Sequence, residues 1–281
     1  AEQRADLTFP HQNGGAPDVH VAHSPERVLP GRVLLELVDN DRVVGGMTPA
    51  CAERAAALYG IFAQGTCHVT DARTAELVKL SENAFRDVNI AFANELSQVC
   101  DALGIDVWDV VRLANQHPRV NILNPGPGVG GHCIAVDPWF IVSSAPKESR
   151  LIRTARTIND AKPKMVVRQI LTAAKAAKSS CVACLGLSYK ADIDDLRESP
   201  AVEIVELLAA EKIASCLVVE PHVEDLPPAL RSLANVSLVT LDEALARADV
   251  VALLVDHREF KLLDRTRLAG KKIVDTRGAW R

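Results

Sequence analysis

The chain has 281 residues, 48% hydrophobic and 24% charged, which is enough for one large or two ordinary domains with a true core. A net charge of −4 without a long basic run argues against nonspecific nucleic-acid binding, and an aromatic content of 4% argues against a base-stacking surface. Seven scattered cysteines, an odd number, suit a reducing, cytoplasmic compartment, and the opening AEQRADLTFPHQNGG lacks the apolar run of a signal peptide.

Residues 1–70 predict strands over DVHVAHSPERV, NDRVVGG and CHVT, with a helix over TPACAERAAALYGIFAQ. That is half of an α/β domain and too little sheet to stand alone. Residues 71–104 predict one uninterrupted helix, with Asp71 as N-cap and Gly104 as the stop. It would run for roughly 50 Å. Its several apolar faces suit a spine between domains or subunits. A second helix is expected over 106–116, and helices from about Lys147 to Lys178, bent near Pro163. From Ser179 onward short apolar strands alternate with helices: SSCVACLGL, SPAVEIVELLAAEK, SCLVVEP, LDEALARA, DVVALLVDH and KKIVDTRG. This pattern predicts a doubly wound parallel sheet, which binds ligands at the carboxyl ends of its strands. Tyr189, Lys190, Glu220, Asp256, His257, Thr276 and Arg277 fall there.

Between the helical regions lies NPGPGVGGHCIAVDPWF, residues 124–140. Gly126, Gly128 and Gly131 form a literal G-x-G-x-x-G. A dinucleotide fingerprint must follow a strand and open a helix. HPRVNILN is a poor strand, and HCIAVDPWF, with β-branched residues and a proline, reads as no helix. His132, Cys133 and Asp137 lack the second ligand cluster a zinc site needs, so no metal is expected. Cys181 and Cys184 spell C-x-x-C, but in a strand they face opposite sides and read as core packing. Adjacent His132 and Cys133 point apart if extended, which disfavours a Cys–His dyad. Two readings of Cys133 stay open on these grounds: a packed small residue, or a thiol displayed at the end of a glycine loop.

Five separated motifs, in order, carry a family resemblance: SPERVLPG, NAFRDVNIAFANELS, HPRVNILNPGPGVGGHCIAVDPWFIV, DDLRESPA and LVDHREF. From about Val19 to Arg281 the chain resembles the nucleotide-sugar 6-dehydrogenases, the group of UDP-glucose and GDP-mannose dehydrogenases. The resemblance implies three segments. These are the remainder of an NAD-binding Rossmann domain over 1–70, a central helical catalytic and dimerisation domain over 71–160, and a Rossmann-like UDP-sugar-binding domain over 161–281. The family's first Rossmann half, with its own glycine fingerprint, would lie outside this chain, so weak NAD binding is expected of the chain alone.

The implied reaction is NAD-dependent, four-electron oxidation of a sugar C6 alcohol to a carboxylate through a cysteine thiohemiacetal and thioester. The motifs look most like members acting on UDP-N-acetyl-D-mannosamine. UDP-N-acetylglucosamine, UDP-glucose and GDP-mannose remain alternatives, as does a non-catalytic UDP-sugar-binding fragment. By resemblance Cys133 is the nucleophile. Lys79 and Asn83, four apart on one helix face, stabilise the oxyanion. Asp137 holds the catalytic water and Glu26 is an acid/base. Gly130 leaves room for the sugar, and Lys190 and Arg277 grip the UDP. Arg197 meets the cofactor phosphates, with a simple pair to Asp194 or Asp195 as the lesser alternative. The implied partner is a second copy of the chain, joined through helix 71–104, with Arg119 entering the partner's site.

Overall fold

The computed structural model describes residues 6–10, 17–28, 32–211 and 213–281. The end of SPERVLPG, residues 29–31, and parts of the first segment lie outside them. The chain divides into two compact units, Ala1–Asn83 and Ala84–Arg281, and the division falls inside one helix.

The first unit holds β1 (Ala22–His23), α1 (Val33–Asp39), β2 (Arg42–Gly46), α2 (Pro49–Tyr59) and β3 (Cys67–Asp71). The strand order is β1-β2-β3, with β2 and β3 parallel around α2 and β1 antiparallel to β2. Thr48 caps α2 by accepting from the Cys51 amide at 3.3 Å, with Pro49 in the first turn. Gly45 is needed because a side chain there would meet Ala75 Cβ at 2.5 Å. Two expectations need correction. Among the described residues the strand expected over 18–28 is two residues long, Ala22 and His23 pairing with Gly46 and Gly45. VLLELVD forms α1, a helix the sequence reading did not anticipate.

The long helix, α3, spans Ala72–Leu103 as expected. Asp71 accepts from the Thr74 amide at 3.0 Å and from its hydroxyl at 2.6 Å. Gly104, at φ 66°, ends the helix, and the Ile105 amide closes back on Cys100 O at 2.9 Å. In the second unit follow α4 (Val107–Ala114), capped by Asp106, then α5 (Asp137–Ser144) and α6 (Arg150–Ala177). Pro163 stays within α6, although it has no N–H for the Asn159 carbonyl.

The remainder is a doubly wound sheet of order β6-β5-β4-β7-β8, every pairing parallel. Its elements are β4 (Cys181–Leu185), α7 (Pro200–Ala210), β5 (Ser215–Val219), α8 (Pro228–Arg231), β6 (Val236–Leu238), α9 (Leu241–Arg247), β7 (Val250–Leu253), α10 (Arg258–Lys261) and β8 (Lys272–Asp275). Ser199 and Pro200 open α7 as expected. The sheet separates two apolar clusters, one with α6 and α7 residues, the other with α9 and α10 residues. Cys184 lies in the first and Cys181 packs on the second, so the C-x-x-C residues face opposite sides.

Candidate active site

The glycine segment is held from both sides. On one side α3 and α6 meet through a buried polar ladder. Arg156 reaches Asp87 at 2.6 Å, and Asn159 donates to Asp87 Oδ1 at 2.8 Å. Asn94 donates to Asn159 at 2.9 Å, and its own oxygen accepts from the Gly126 amide at 2.9 Å. Further along, Lys162 donates to Ser97 at 2.5 Å. Burial pushes the Asp87 carboxyl up, opposed by Arg156 and Asn159, and burial pushes the Lys162 ammonium down. These residues escaped the sequence reading. A signal existed: Asp87, Asn94 and Asp101 recur every seven residues, and Arg156, Asn159 and Lys162 every three.

On the other side the glycines rest on the loop after β4. A side chain at Gly130 would meet Glu198 O at 2.5 Å and Tyr189 Cβ at 2.8 Å. Gly131, at φ 83°, sits against the Tyr189 ring. The chain then turns through residues 131–136 and enters α5. This corrects the expectation of no helix after the glycines. Pro138 lies in the first turn, where a proline lacks no needed N–H, and Asp137 is the first-turn acid. The glycines still do not make a dinucleotide fingerprint, because no strand precedes them.

Cys133 lies in that turn and is exposed, so the packed-residue reading fails. Its carbonyl accepts from the amides of Val136 at 3.1 Å and Asp137 at 2.8 Å, which ties Cys133 to the start of α5. Asp137 is half-buried.

At the strand ends, Arg277 donates to Asp256 at 2.8 Å, and its Nη1 would lie 2.7 Å from a Cβ at Gly126. The structure thus brings Arg277 to the glycine segment. Lys261 also reaches Asp256 at 2.8 Å. Burial alone would raise Asp256, but the two cations hold it below the usual carboxylate range. Lys190 is exposed, and its carbonyl accepts from Ser188 Oγ at 2.6 Å. Arg197 is exposed and pairs with Asp195 through Nε at 2.8 Å and Nη2 at 2.6 Å. Those bonds hold the Asp195 carboxyl at about 2. Arg119 is exposed, its amide donating to His117 at 3.3 Å.

Glu26, Lys79 and Asn83 belong to the first unit. Glu26 is exposed and accepts from the Val28 amide, and Lys79 and Asn83 are half-buried on α3.

Two cavities flank the glycine segment. One of about 480 Å³ is lined by Val129, Trp139 and Pro200, but also by Asp160, Glu198 and Glu203, which repel a diphosphate. The other, about 100 Å³, has Gly126, Lys162, Thr276 and Arg281 in its wall. Among the described residues no helix is long and apolar enough to cross a membrane.

Residues 3–63, 73–161 and 183–281 match the NAD binding, central and UDP binding domains of the UDP-glucose/GDP-mannose dehydrogenase family. The chain is 61% identical, over 99% of its length, to an NDP-N-acetyl-D-galactosaminuronic acid dehydrogenase of Ralstonia nicotianae, of which it covers 65%. It is 57% identical, over its whole length, to the UDP-N-acetyl-D-mannosamine dehydrogenase of Escherichia coli K12, of which it covers 68%. Among solved structures, a UDP-N-acetyl-mannosamine dehydrogenase from S. aureus superimposes with a TM-score of 0.82 at 45% identity, covering 99% of this chain and 63% of that one. The chain thus spans about two thirds of the length of the proteins it matches.

Proposed function

Because the chain belongs to the UDP-glucose/GDP-mannose dehydrogenase family, we propose that it supplies the nucleophile and the UDP grip of an NAD-dependent UDP-sugar 6-dehydrogenase. The observation that carries this reading is an exposed Cys133 at the end of a glycine segment that also meets Arg277. We propose three functional segments, 1–70, 71–160 and 161–281.

In this mechanism Lys190 and Arg277 hold the uridine diphosphate at the strand ends. Gly130 lets the segment beside the sugar pack closely on Glu198 and Tyr189, where a side chain would clash. NAD, when bound, accepts one hydride in each of the two oxidations. The residue of this chain that suits its phosphates is Arg197, because its bonds to Asp195 run through Nε and Nη2 and leave Nη1 outside the pair.

The first oxidation turns the C6 alcohol into an aldehyde. The Cys133 thiolate then adds to the carbonyl carbon, the C=O electron pair moves to oxygen, and a thiohemiacetal forms. Lys79 and Asn83 stabilise that oxyanion. Loss of the second hydride leaves a thioester on Cys133. Asp137 positions water and Glu26 assists its attack, which frees the carboxylate and restores the thiol.

We propose UDP-N-acetyl-D-mannosamine as the substrate. The name of the 61%-identical relative favours the corresponding N-acetylgalactosamine nucleotide as a second reading. Turnover of a panel of UDP-sugars, followed as NADH, by a protein that joins this chain to the family's first Rossmann half decides between them. Oxidation of neither N-acetylhexosamine nucleotide would refute the proposal.

We further propose a homodimer through α3. Phe85, Phe92, Val99 and Leu103 are 72%, 54%, 46% and 66% exposed. Their spacing puts them on one stripe of the helix, and a contiguous apolar stripe marks an interface. Arg119 would enter the partner's site. Sedimentation as a monomer at micromolar concentration would contradict this.

A further inference from the structure

Glu220 follows β5, the second strand of its βαβ unit. In an open α/β sheet that binds a dinucleotide, an acid near this place reads a ribose. Here the carboxylate is buried and faces the protein. Oε2 accepts from the amides of Leu187 at 2.6 Å and Ser188 at 3.0 Å, and Oε1 from the amide of His222 at 3.1 Å. His257, just beyond β7 and fully buried, lies with Nε2 3.1 Å from Glu220 Oε2.

The imidazole's other nitrogen fixes its state. The Asp192 amide can only donate, and it lies 2.9 Å from His257 Nδ1. Nδ1 is therefore bare, and the ring proton sits on Nε2, where it is donated to Glu220. Asp192 is held at φ 61°, and its carboxylate accepts from the Arg258 amide at 2.8 Å. Ser188 Oγ completes the cluster, 3.3 Å from His257 Nε2 and donating to the Lys190 carbonyl. These contacts bracket the backbone of Lys190, and the Tyr189 amide ties onward to Asp195 O at 3.1 Å, beside Arg197.

We infer that Glu220 and His257 are positioning residues for the loop 187–197, so that nucleotide affinity depends on two side chains the nucleotide never touches. The inference rests on the reading of Lys190 as part of the UDP grip. The ligand atoms of Asp192, His222 and His257 lie within 4.8 Å of one another, a spacing that could also suit a metal ion. The Asp192 amide already occupies the Nδ1 lone pair that an ion would need, so the cluster acts as a clamp.

The test uses the 281-residue chain, with amide hydrogen exchange and calorimetry with UDP. His257→Phe keeps bulk but removes the hydrogen bonds to Asp192, Glu220 and Ser188. Exchange across 187–192 should then rise at least tenfold over the rest of the sheet, and the UDP Kd should rise about tenfold as the competent loop becomes a minor population. His257→Asn, whose side-chain oxygen can still accept from Asp192, should recover most of both effects, a rescue that a merely space-filling role does not predict. If His257→Phe does not fold, Ser188→Ala carries the same readouts. Unchanged loop exchange and UDP affinity would overturn the inference. So would stoichiometric Zn²⁺ binding that His222→Ala abolishes. If the unaltered chain binds no UDP, the assignment of the UDP grip fails, while loop exchange alone still decides whether the clamp exists.

Discussion

The three-stranded sheet of the first unit and the five-stranded sheet of the second each contain a parallel βαβ unit, with β1 added antiparallel in the first, yet they cover themselves differently. In β4, β5 and β7 nearly every residue is buried, with α6 and α7 on one face and α9 and α10 on the other. In the first unit β3 is exposed at most positions, with Val69 at 52%. Leu34, Leu58 and Ile61 on and after its helices are 81%, 62% and 79% exposed. A parallel sheet is stable only with both faces covered. The five-stranded sheet meets that condition from its own residues, and the three-stranded one does not. We therefore expect the UDP-binding side of the chain to behave as a finished domain and the NAD side to depend on further cover.

The largest effect should appear in native-state hydrogen exchange. Amides of β4, β5 and β7 should open only with global unfolding, while those of β2 and β3 exchange through far cheaper local opening. Equal protection in both sheets would break the comparison.

Next comes the polar ladder, where the second unit buries charge as well as carbon. Arg156→Met leaves Asp87 buried without its cation and should cost about 3–5 kcal/mol in urea unfolding. A cost under about 1 kcal/mol would show that Asp87 is neutral or hydrated there.

Leu217→Ala, in a fully buried strand, should cost about 2–5 kcal/mol, and Leu58→Ala within about 0.5 kcal/mol of nothing. Similar costs would mean that α2 is covered after all.

The smallest effect is pH-dependent. Burial alone would raise the Glu220 carboxyl, but His257 and the amides of Leu187 and His222 outweigh it and hold it below the ordinary glutamate value. A depressed carboxyl contributes stability above its unfolded pKa and loses it as pH falls through the folded one. Protection of loop 187–197 should thus persist at neutral pH and fade on acidification below the ordinary glutamate range, ahead of the strands themselves. Loop protection that improves on acidification would reverse the sign of this argument.

Much of this was legible in the sequence, for physical reasons that can be named. CVACL, SCLVV and VVAL are continuous apolar runs, the pattern of strands buried on both faces, and Ser199-Pro200 is a helix start. The long helix was legible because Asp71 and Gly104 punctuate an uninterrupted periodic segment. Helix α5 was not, because Ile134, Val136 and Pro138 argue locally for extended chain, while a proline in the first turn is harmless. The ladder of Asp87, Asn94 and Asn159 was hidden because polar residues on a helix ordinarily read as its solvent face. His257 was flagged only by its place at a strand end. Its role depends on the backbone of Asp192, sixty-five residues away, which no local pattern reveals.

The chemistry assigned to Cys133 is tested most directly by intact-protein mass spectrometry, on the chain joined to the family's first Rossmann half and mixed with NAD and UDP-N-acetyl-D-mannosamine. Cys133→Ser should accumulate a covalent ester carrying the mass of the oxidised nucleotide sugar, because an oxygen ester hydrolyses more slowly than a thioester. Cys133→Ala should carry no adduct and make no carboxylate. Carboxylate formation by Cys133→Ala at the unaltered rate would contradict the account and leave Cys133 as an exposed thiol without a catalytic part.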